Sequence, residues 1–265
     1  METELIRIGQ GEECLAWEEE ALRRAGEIIK GRGLLPFPTE TVYGLGGDAL
    51  NGESSRKIYA AKGRPSDNPL IVHISRLEDM GRIVERIPGE AVKLAESFWP
   101  GPLTMILPKS REVPYETTGG LDTVAVRMPS HPVARRLIAY SGGYVAAPSA
   151  NASGRPSPTI AAHVIEDMSG RIDMIVDGGE VGIGLESTIV DLTVSPPQIL
   201  RPGYITEELL KGVLGQVETD RAILQTDSGQ APRAPGMKYR HSAPRGELAI
   251  VEGGREQVTA WINRQ

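Results

Sequence analysis

Several polar segments of this chain gather cations, hydroxyls and amides at points where the chain leaves a helix or a strand. In Pro38-Thr39-Glu40-Thr41-Val42-Tyr43-Gly44-Leu45, two hydroxyls, a carboxylate and a phenol fall within one loop. Such a loop can present donors and acceptors to a small polar ligand, although threonine beside glutamate is also ordinary helix-start chemistry. Lys62 and Arg64 flank Gly63 at the expected end of a helix, where the helix dipole alone would favour cations. The continuation Pro65-Ser66-Asp67-Asn68-Pro69 leads into an apolar run ending near His73. Two cations, the Asn68 amide and a histidine then converge on one mouth, which suits phosphate and carboxylate.

Further polar mouths follow. Thr117 to Thr123 precedes the apolar strand Val124-Ala125-Val126-Arg127, whose closing arginine needs an anion or water. Pro148-Ser149-Ala150-Asn151 begins a run of small polar groups through Thr159, directly after an expected strand, where α/β proteins commonly place ligands. Ser187 enters another strand behind Gly184-Leu185-Glu186, and Arg201-Pro202-Gly203 closes the next. Each segment alone reads equally well as a turn; their number argues for one shared cavity.

Gly44-Leu45-Gly46-Gly47-Asp48-Ala49 satisfies a loose dinucleotide pattern, but Asn51-Gly52 intervenes before the next helix and no βαβ unit of suitable length follows. A G-x-x-x-x-G-K-[ST] loop is absent as well, so a nucleotide site must be built by other means.

The elements that must position these groups are legible from periodicity. Helical spacing covers Trp17 to Lys30, Ser54 to Lys62, Leu77 to Ile87, Ala91 to Phe98, Val133 to Tyr140, Ile160 to Met168 and Glu207 to Leu214. Strands are expected at Leu34 to Phe37, Pro69 to Ile74, Leu103 to Leu107, Thr123 to Arg127, Tyr144 to Ala147, Asp173 to Val176, Ser187 to Leu192 and Gln198 to Arg201. Late strands too close together for a crossover helix predict an α/β fold with a mixed sheet. Residues 1–215 read as the main domain and 216–245, proline-rich and aperiodic, as a linker. Residues 246–265 offer a strand (Glu247 to Val251) and a helix (Glu256 to Asn263), too little apolar surface to fold alone.

Of the 265 residues, 40% are hydrophobic and 24% charged, normal globular values. No apolar run is long enough to span a bilayer, and Met1-Glu2-Thr3-Glu4 lacks the character of a signal peptide, so the expected location is cytoplasmic. One cysteine and four scattered histidines are too few for a disulfide framework or a zinc site. A net charge of −6 argues against a surface given over to nucleic acid, while leaving room for a local basic cleft.

The runs PTETVYGL, KIYAAKGRPSDNPLIVHI, FWPGPLTMIL, TVAVRMP, PSANASG, ESTIVD and ILRPG, in that order from about Leu15 to Leu214, resemble the Sua5/YrdC/YciO family. The linker run APGMKYRHSAP further resembles its Sua5 branch, whose interdomain loop folds over the active site. The resemblance implies a twisted mixed sheet around a deep, positively charged cavity. It also implies L-threonylcarbamoyladenylate synthase activity: L-threonine, bicarbonate and ATP give the mixed anhydride and pyrophosphate, the first step toward N6-threonylcarbamoyladenosine at tRNA position 37. On that resemblance, Thr41, His73, Arg127, Ser149 and Ser187 hold threonine, with Thr39 an alternative to Thr41. Lys62, Arg64, Asn68, Thr123, Asn151, Thr159 and Arg201 line the ATP side, with Ser157 an alternative to Thr159, and Tyr239 or its linker neighbours close over the nucleotide. Lys62 and Arg64 neutralise charge in the transition state, and Mg2+ arrives with the ATP phosphates. The implied partner is a threonylcarbamoyl transferase complex, through which tRNA is reached indirectly. Branch members usually continue into a complete second α/β domain, so residues 246–265 read as the start of a truncated or vestigial one.

Two other readings compete. An RNA-binding or regulatory module on the same fold would show salt-sensitive RNA binding without ATP turnover. A carbamoyl-transferring hydrogenase-maturation enzyme would carry zinc-finger cysteines that this sequence does not have.

Overall fold

Alternation along the strands decides which side of the sheet is sealed and which is left to chemistry. The computed structural model describes residues 3–9, 11, 13–220, 233–235 and 249–264. In chain order its elements are β1 (Glu4–Arg7), α1 (Ala16–Lys30), β2 (Leu35–Phe37), β3 (Gly44–Asp48), α2 (Gly52–Lys62) and β4 (Ile71–Ile74). A 3-10 turn (Leu77–Asp79), α3 (Met80–Ile83), α4 (Gly89–Phe98), β5 (Leu103–Pro108), α5 (Tyr115–Thr118), β6 (Thr123–Arg127), α6 (Pro132–Tyr140) and β7 (Tyr144–Ala146) follow. The remainder is α7 (Ala161–Met168), β8 (Met174–Asp177), β9 (Thr188–Asp191), β10 (Gln198–Arg201), α8 (Glu207–Leu214), β11 (Glu218–Thr219) and α9 (Arg255–Ile262).

Nine strands form one sheet in the order β11-β10-β9-β5-β6-β4-β7-β3-β2, and β1 pairs with β8 in a separate parallel ribbon. Within the large sheet β4/β6, β5/β9 and β10/β11 run parallel and the other neighbours antiparallel, giving the mixed sheet that the sequence predicts. On one face Val72, Ile74, Met105, Leu107, Val124, Val126 and Val190 join the largest apolar cluster, with Ile58 of α2, Leu94 of α4 and Leu210 of α8. On the other face, near β7 and β2, Val145, Ala147 and Phe37 pack against Leu22, Ile29, Leu137 and Ile138 of α1 and α6. Between that layer and the β10 edge, the same face carries Ile71, Ile106, Ala125, Ile189 and Leu200, capped by the buried Ala234.

Local chemistry fixes the element ends. Asn51 Oδ1 accepts from the amides of Glu53 and Ser54 at 3.0 and 3.2 Å, so the Asn51-Gly52 pair is the N-terminal cap of α2. Gly63 ends that helix at φ 63°, a left-handed conformation that glycine adopts without penalty. The glycine run at 44–48 is a strand, not a helix-opening loop, which removes the dinucleotide reading. Low strand propensity concealed β3 from sequence inspection, as brevity concealed β1, α5 and β11. The long helix expected over Leu77 to Ile87 is only a turn and a short helix, because Val84 turns extended and bridges Lys109. Of the strand expected at Glu247 to Val251, residues 249–251 are not in a strand, and 247–248 lie outside the described residues. The helix expected beside it is present as α9.

Candidate active site

The period-2 alternation that buries Val72, Val126 and Met105 turns His73, Arg127 and Thr104 to the opposite face. Strand register sets these three side by side across β4, β6 and β5: His73 opposes Arg127, and Arg127 opposes Thr104. Ser187, just ahead of β9, joins the row through a 2.7 Å hydrogen bond between its hydroxyl and that of Thr104. The loop over 38–43 forms a wall above this floor. It is pinned by amide donors: Tyr43 N–H to Pro158 O, Ala150 N–H to Tyr43 O, Ile183 N–H to Glu40 O and Gly184 N–H to Thr41 O, all 2.8 to 3.0 Å.

The resulting cavity is partly open to solvent and takes in about 480 Å3 of empty space, its mouth included. It is lined by Thr41, His73, Arg127, Ser149 and Ser187, the five residues expected to hold an amino acid, and by Arg64 and Arg201 from the expected nucleotide set. Thr39 lines it too, and its hydroxyl lies 2.9 Å from that of Thr41, so the two threonines act as one hydroxyl pair.

The three arginines are held differently. Arg64 donates from Nη2 to Asn68 Oδ1 at 2.6 Å and to Pro69 O at 3.0 Å, and from Nε to Asn68 O at 3.3 Å. Arg201 donates from Nε to Ser187 O at 3.0 Å and from Nη2 to Ser187 Oγ at 3.1 Å. Burial pushes both guanidinium groups down to about 10, with Tyr59 and Asp67 opposing at Arg64, and Glu186 opposing at Arg201 while Arg127 and Arg64 add to the depression. Arg127 is instead ion-paired: its Nη2 donates to Glu40 Oε1 at 2.7 Å, with the two side chains only 4% and 13% exposed. Burial, reinforced by Arg127, holds the His73 imidazole down at about 3, so the ring stands neutral in the floor.

The other expected residues stand behind the lining. Lys62 is buried and its ammonium donates to the carbonyl oxygens of Ser149 and Asn151, tying the loop after β7 to the end of α2. Burial first, then Arg64, pushes that ammonium well below its ordinary range, with Asp167 opposing. Asn151 spends its amide on the carbonyls of Ala152 and Arg155, at 2.9 and 2.7 Å. Asn68 is the rest on which Arg64 lies. Neither Thr123 nor Thr159 lines the cavity. Ser157 reaches it indirectly, through a 2.6 Å hydrogen bond to Glu186, which does line it. Tyr239 lies outside the described residues.

Sequence inspection assigned no role to Glu40, Thr104, Glu186 or Pro235. Thr104 left a signal, since it is the one polar residue in Leu103-Thr104-Met105-Ile106-Leu107 and alternation puts it with Ile106 on the site face. Pro235 lines the cavity because its neighbours are anchored: Ala234 is buried on the sheet, and Arg233 binds Gln198 at 3.0 Å, Asp220 at 2.5 Å and Asp191 at 3.3 Å.

Known proteins share this fold and much of this sequence. The chain is 53% identical over 245 residues to the threonylcarbamoyl-AMP synthase of Pyrococcus abyssi, covering 92% of this chain and 72% of that one. It is 48% identical over 249 residues to the threonylcarbamoyl-AMP synthase of Bacillus subtilis, covering 94% and 71%. The crystal structure of P. abyssi Sua5 complexed with L-threonine superposes with a TM-score of 0.92 at 49% identity, across 99% of this chain and 75% of that one. The sequence model for the threonylcarbamoyl-AMP synthase C-terminal domain matches residues 205–265. The Sua5/YciO/YrdC model, described as telomere recombination, matches residues 27–203, the span that carries all strands of the large sheet but β11 and all the named cavity lining but Pro235, and the chain therefore belongs to the Sua5/YciO/YrdC family.

Proposed function

We propose that the chain is an L-threonylcarbamoyladenylate synthase: L-threonine, bicarbonate and ATP combine to give threonylcarbamoyl-AMP and pyrophosphate. The observation that carries this reading is the convergence of Thr41, His73, Arg127, Ser149 and Ser187 with Arg64 and Arg201 on one cavity. Its relatives' names and the L-threonine in the matching structure support it.

In this reading Arg127 takes the threonine carboxylate, while the hydroxyls of the Thr39–Thr41 pair, Ser149 and Ser187 supply polar contacts. The deprotonated amine attacks CO2, formed from bicarbonate by loss of hydroxide; the N–C bond forms as a C=O electron pair moves onto oxygen, and the nitrogen's proton combines with that hydroxide as water. The new carbamate oxygen then attacks the α-phosphorus as its bond to pyrophosphate breaks. The chemistry asks for alignment and charge stabilisation rather than a covalent nucleophile. Arg64 and Arg201, fixed before substrate arrives, supply the stabilisation on the phosphate side. Lys62 acts by holding the 149–151 loop; Asn68 and Asn151 act as its counterparts behind Arg64 and the loop. Thr123 and Thr159 complete the nucleotide side as it is assigned by resemblance, and Tyr239 closes over it.

In this reading Mg2+ arrives on the ATP phosphates. Catalysis is assigned to residues 1–215, with 216–245 as the linker and 246–265 belonging to a C-terminal unit. The class is nucleotidyltransferase, the location cytoplasmic, and the acceptor of the adenylate a threonylcarbamoyl transferase complex acting on tRNA.

The test is pyrophosphate release from ATP with L-threonine and bicarbonate supplied separately and together. Release that requires both co-substrates is expected. ATP binding without any such release would sink the assignment.

A further inference from the structure

Arg127 and Arg201 face one cavity but are held differently: Arg127 donates directly to the carboxylate of Glu40, while Arg201 donates to two oxygens of Ser187 and also feels the Glu186 carboxylate of the lining. Glu40 does not line the cavity; it stands behind Arg127. Three contacts fix it. One carboxylate oxygen accepts from Arg127 Nη2 at 2.7 Å, the other accepts from the Ser130 amide at 3.1 Å, and its backbone carbonyl accepts from the Ile183 amide at 3.0 Å. A carboxylate tied at both oxygens and at its backbone is a fixed support rather than a mobile gate. The Nε–H of Arg127 is buried without a partner among the described residues, so one donor of the guanidinium remains to be satisfied by a ligand.

Resting on the synthase reading, we infer that Glu40 is a positioning residue that allots the cavity's cations between its two anionic substrates. Pairing with Glu40 offsets part of the field of Arg127 and aims the guanidinium plane. A monoanionic carboxylate still gains the directed hydrogen bonds of the fork, whereas a polyphosphate, drawn mainly by net charge, gains far less there. The hydrogen bonds of Arg64 and Arg201 run to carbonyl, amide and hydroxyl oxygens; Asp67 and Glu186 act on them electrostatically, but these hydrogen bonds themselves take up no charge. Triphosphate is thereby directed to Arg64 and Arg201 and kept off the amino-acid position. The sequence places Glu40 between two hydroxyl residues of the loop, and only the fold shows it turned away from the ligand.

The experiment compares wild type and Glu40→Gln, the near-isosteric change that removes the charge, by calorimetric binding of L-threonine and of pyrophosphate, each alone and in competition. Wild type is expected to bind threonine with little competition from pyrophosphate. Glu40→Gln is expected to bind threonine roughly 10- to 100-fold more weakly, the effect of misdirecting one charged hydrogen bond, with pyrophosphate now competing for the same position. Glu40→Asp, which keeps the charge, should restore the exclusion of pyrophosphate at least in part, and it carries the test if Glu40→Gln does not fold. Unchanged or tighter threonine binding by folded Glu40→Gln would overturn the inference, as would weaker threonine binding with pyrophosphate still excluded. If wild type binds pyrophosphate but no threonine, the synthase reading fails first and this inference falls with it.

Discussion

The two ends of the cavity solve opposite electrostatic problems. At Arg127 a largely buried carboxylate stands at 2.7 Å, so part of the charge is offset before any ligand arrives. At Arg64 and Arg201 the direct hydrogen bonds are to neutral oxygens, and burial has already pushed both groups down to about 10. A buried cation whose hydrogen bonds go to neutral oxygens is costly to hold and gains most when an anion arrives; one compensated by a hydrogen-bonded carboxylate is cheaper to hold and discriminates by geometry. The contrast teaches that cations in one cavity need not be interchangeable, and that their partners decide which ligand each one suits.

Breaking the Arg64 and Arg201 end should do most damage. Arg64→Ala is expected to lower turnover by about 100-fold or more, the cost of losing one fixed charge-stabilising donor, and steady-state pyrophosphate release would measure it. Normal turnover would remove Arg64 from the transition state. At the compensated end, Arg127→Lys keeps the charge and loses the planar fork. It should raise the KM for threonine roughly 10-fold while moving the KM for ATP much less; equal shifts in both would erase the division between the ends.

Smaller effects sharpen the comparison from behind the lining. Lys62→Met removes the donor from the Ser149 and Asn151 carbonyls, and the expected loss is about 1 kcal/mol of stability, read as a lowered Tm, with both KM values rising together. A rise confined to ATP would mean instead that Lys62 reaches the phosphates. The smallest effect is a slope. Unfolded, the His73 ring takes its proton near 6.5, whereas folded it resists until about 3, so the unfolded state binds more protons across that window. Stability contributed by the neutral ring is full above pH 6.5 and drains as the pH falls toward 3. Denaturant midpoints from pH 7 to 4 should therefore fall less steeply in His73→Gln than in wild type.

Much of this was legible in the sequence. Apolar alternation marked β5 and β6 and fixed that Arg127 would leave its strand on the face opposite Val124 and Val126. The hydroxyl, amide and arginine runs marked the loops. Position within those loops was not legible, because Lys62 and Arg64 differ by two residues in sequence yet one grips backbone carbonyls and the other faces the cavity. A similar limit separates Glu40 from Thr39 and Thr41, since loop residues have no fixed period that assigns them a side. Nor could the register that sets His73 beside Arg127 be read before the strand order was known.

A methyl group's worth of space connects the back of β3 to the chemistry. A Cβ on Gly46 would come within 2.9 Å of the Phe37 ring, and Phe37 meets the His73 ring edge-on at a centroid distance of 6.4 Å. Phe37 is fully buried and the neighbouring Val145 would press on the same methyl at 3.1 Å, so the ring has little room to yield. Gly46 thus works as a machined clearance in the backbone: it touches no ligand, yet the floor of the cavity keeps its dimensions only while that position stays empty.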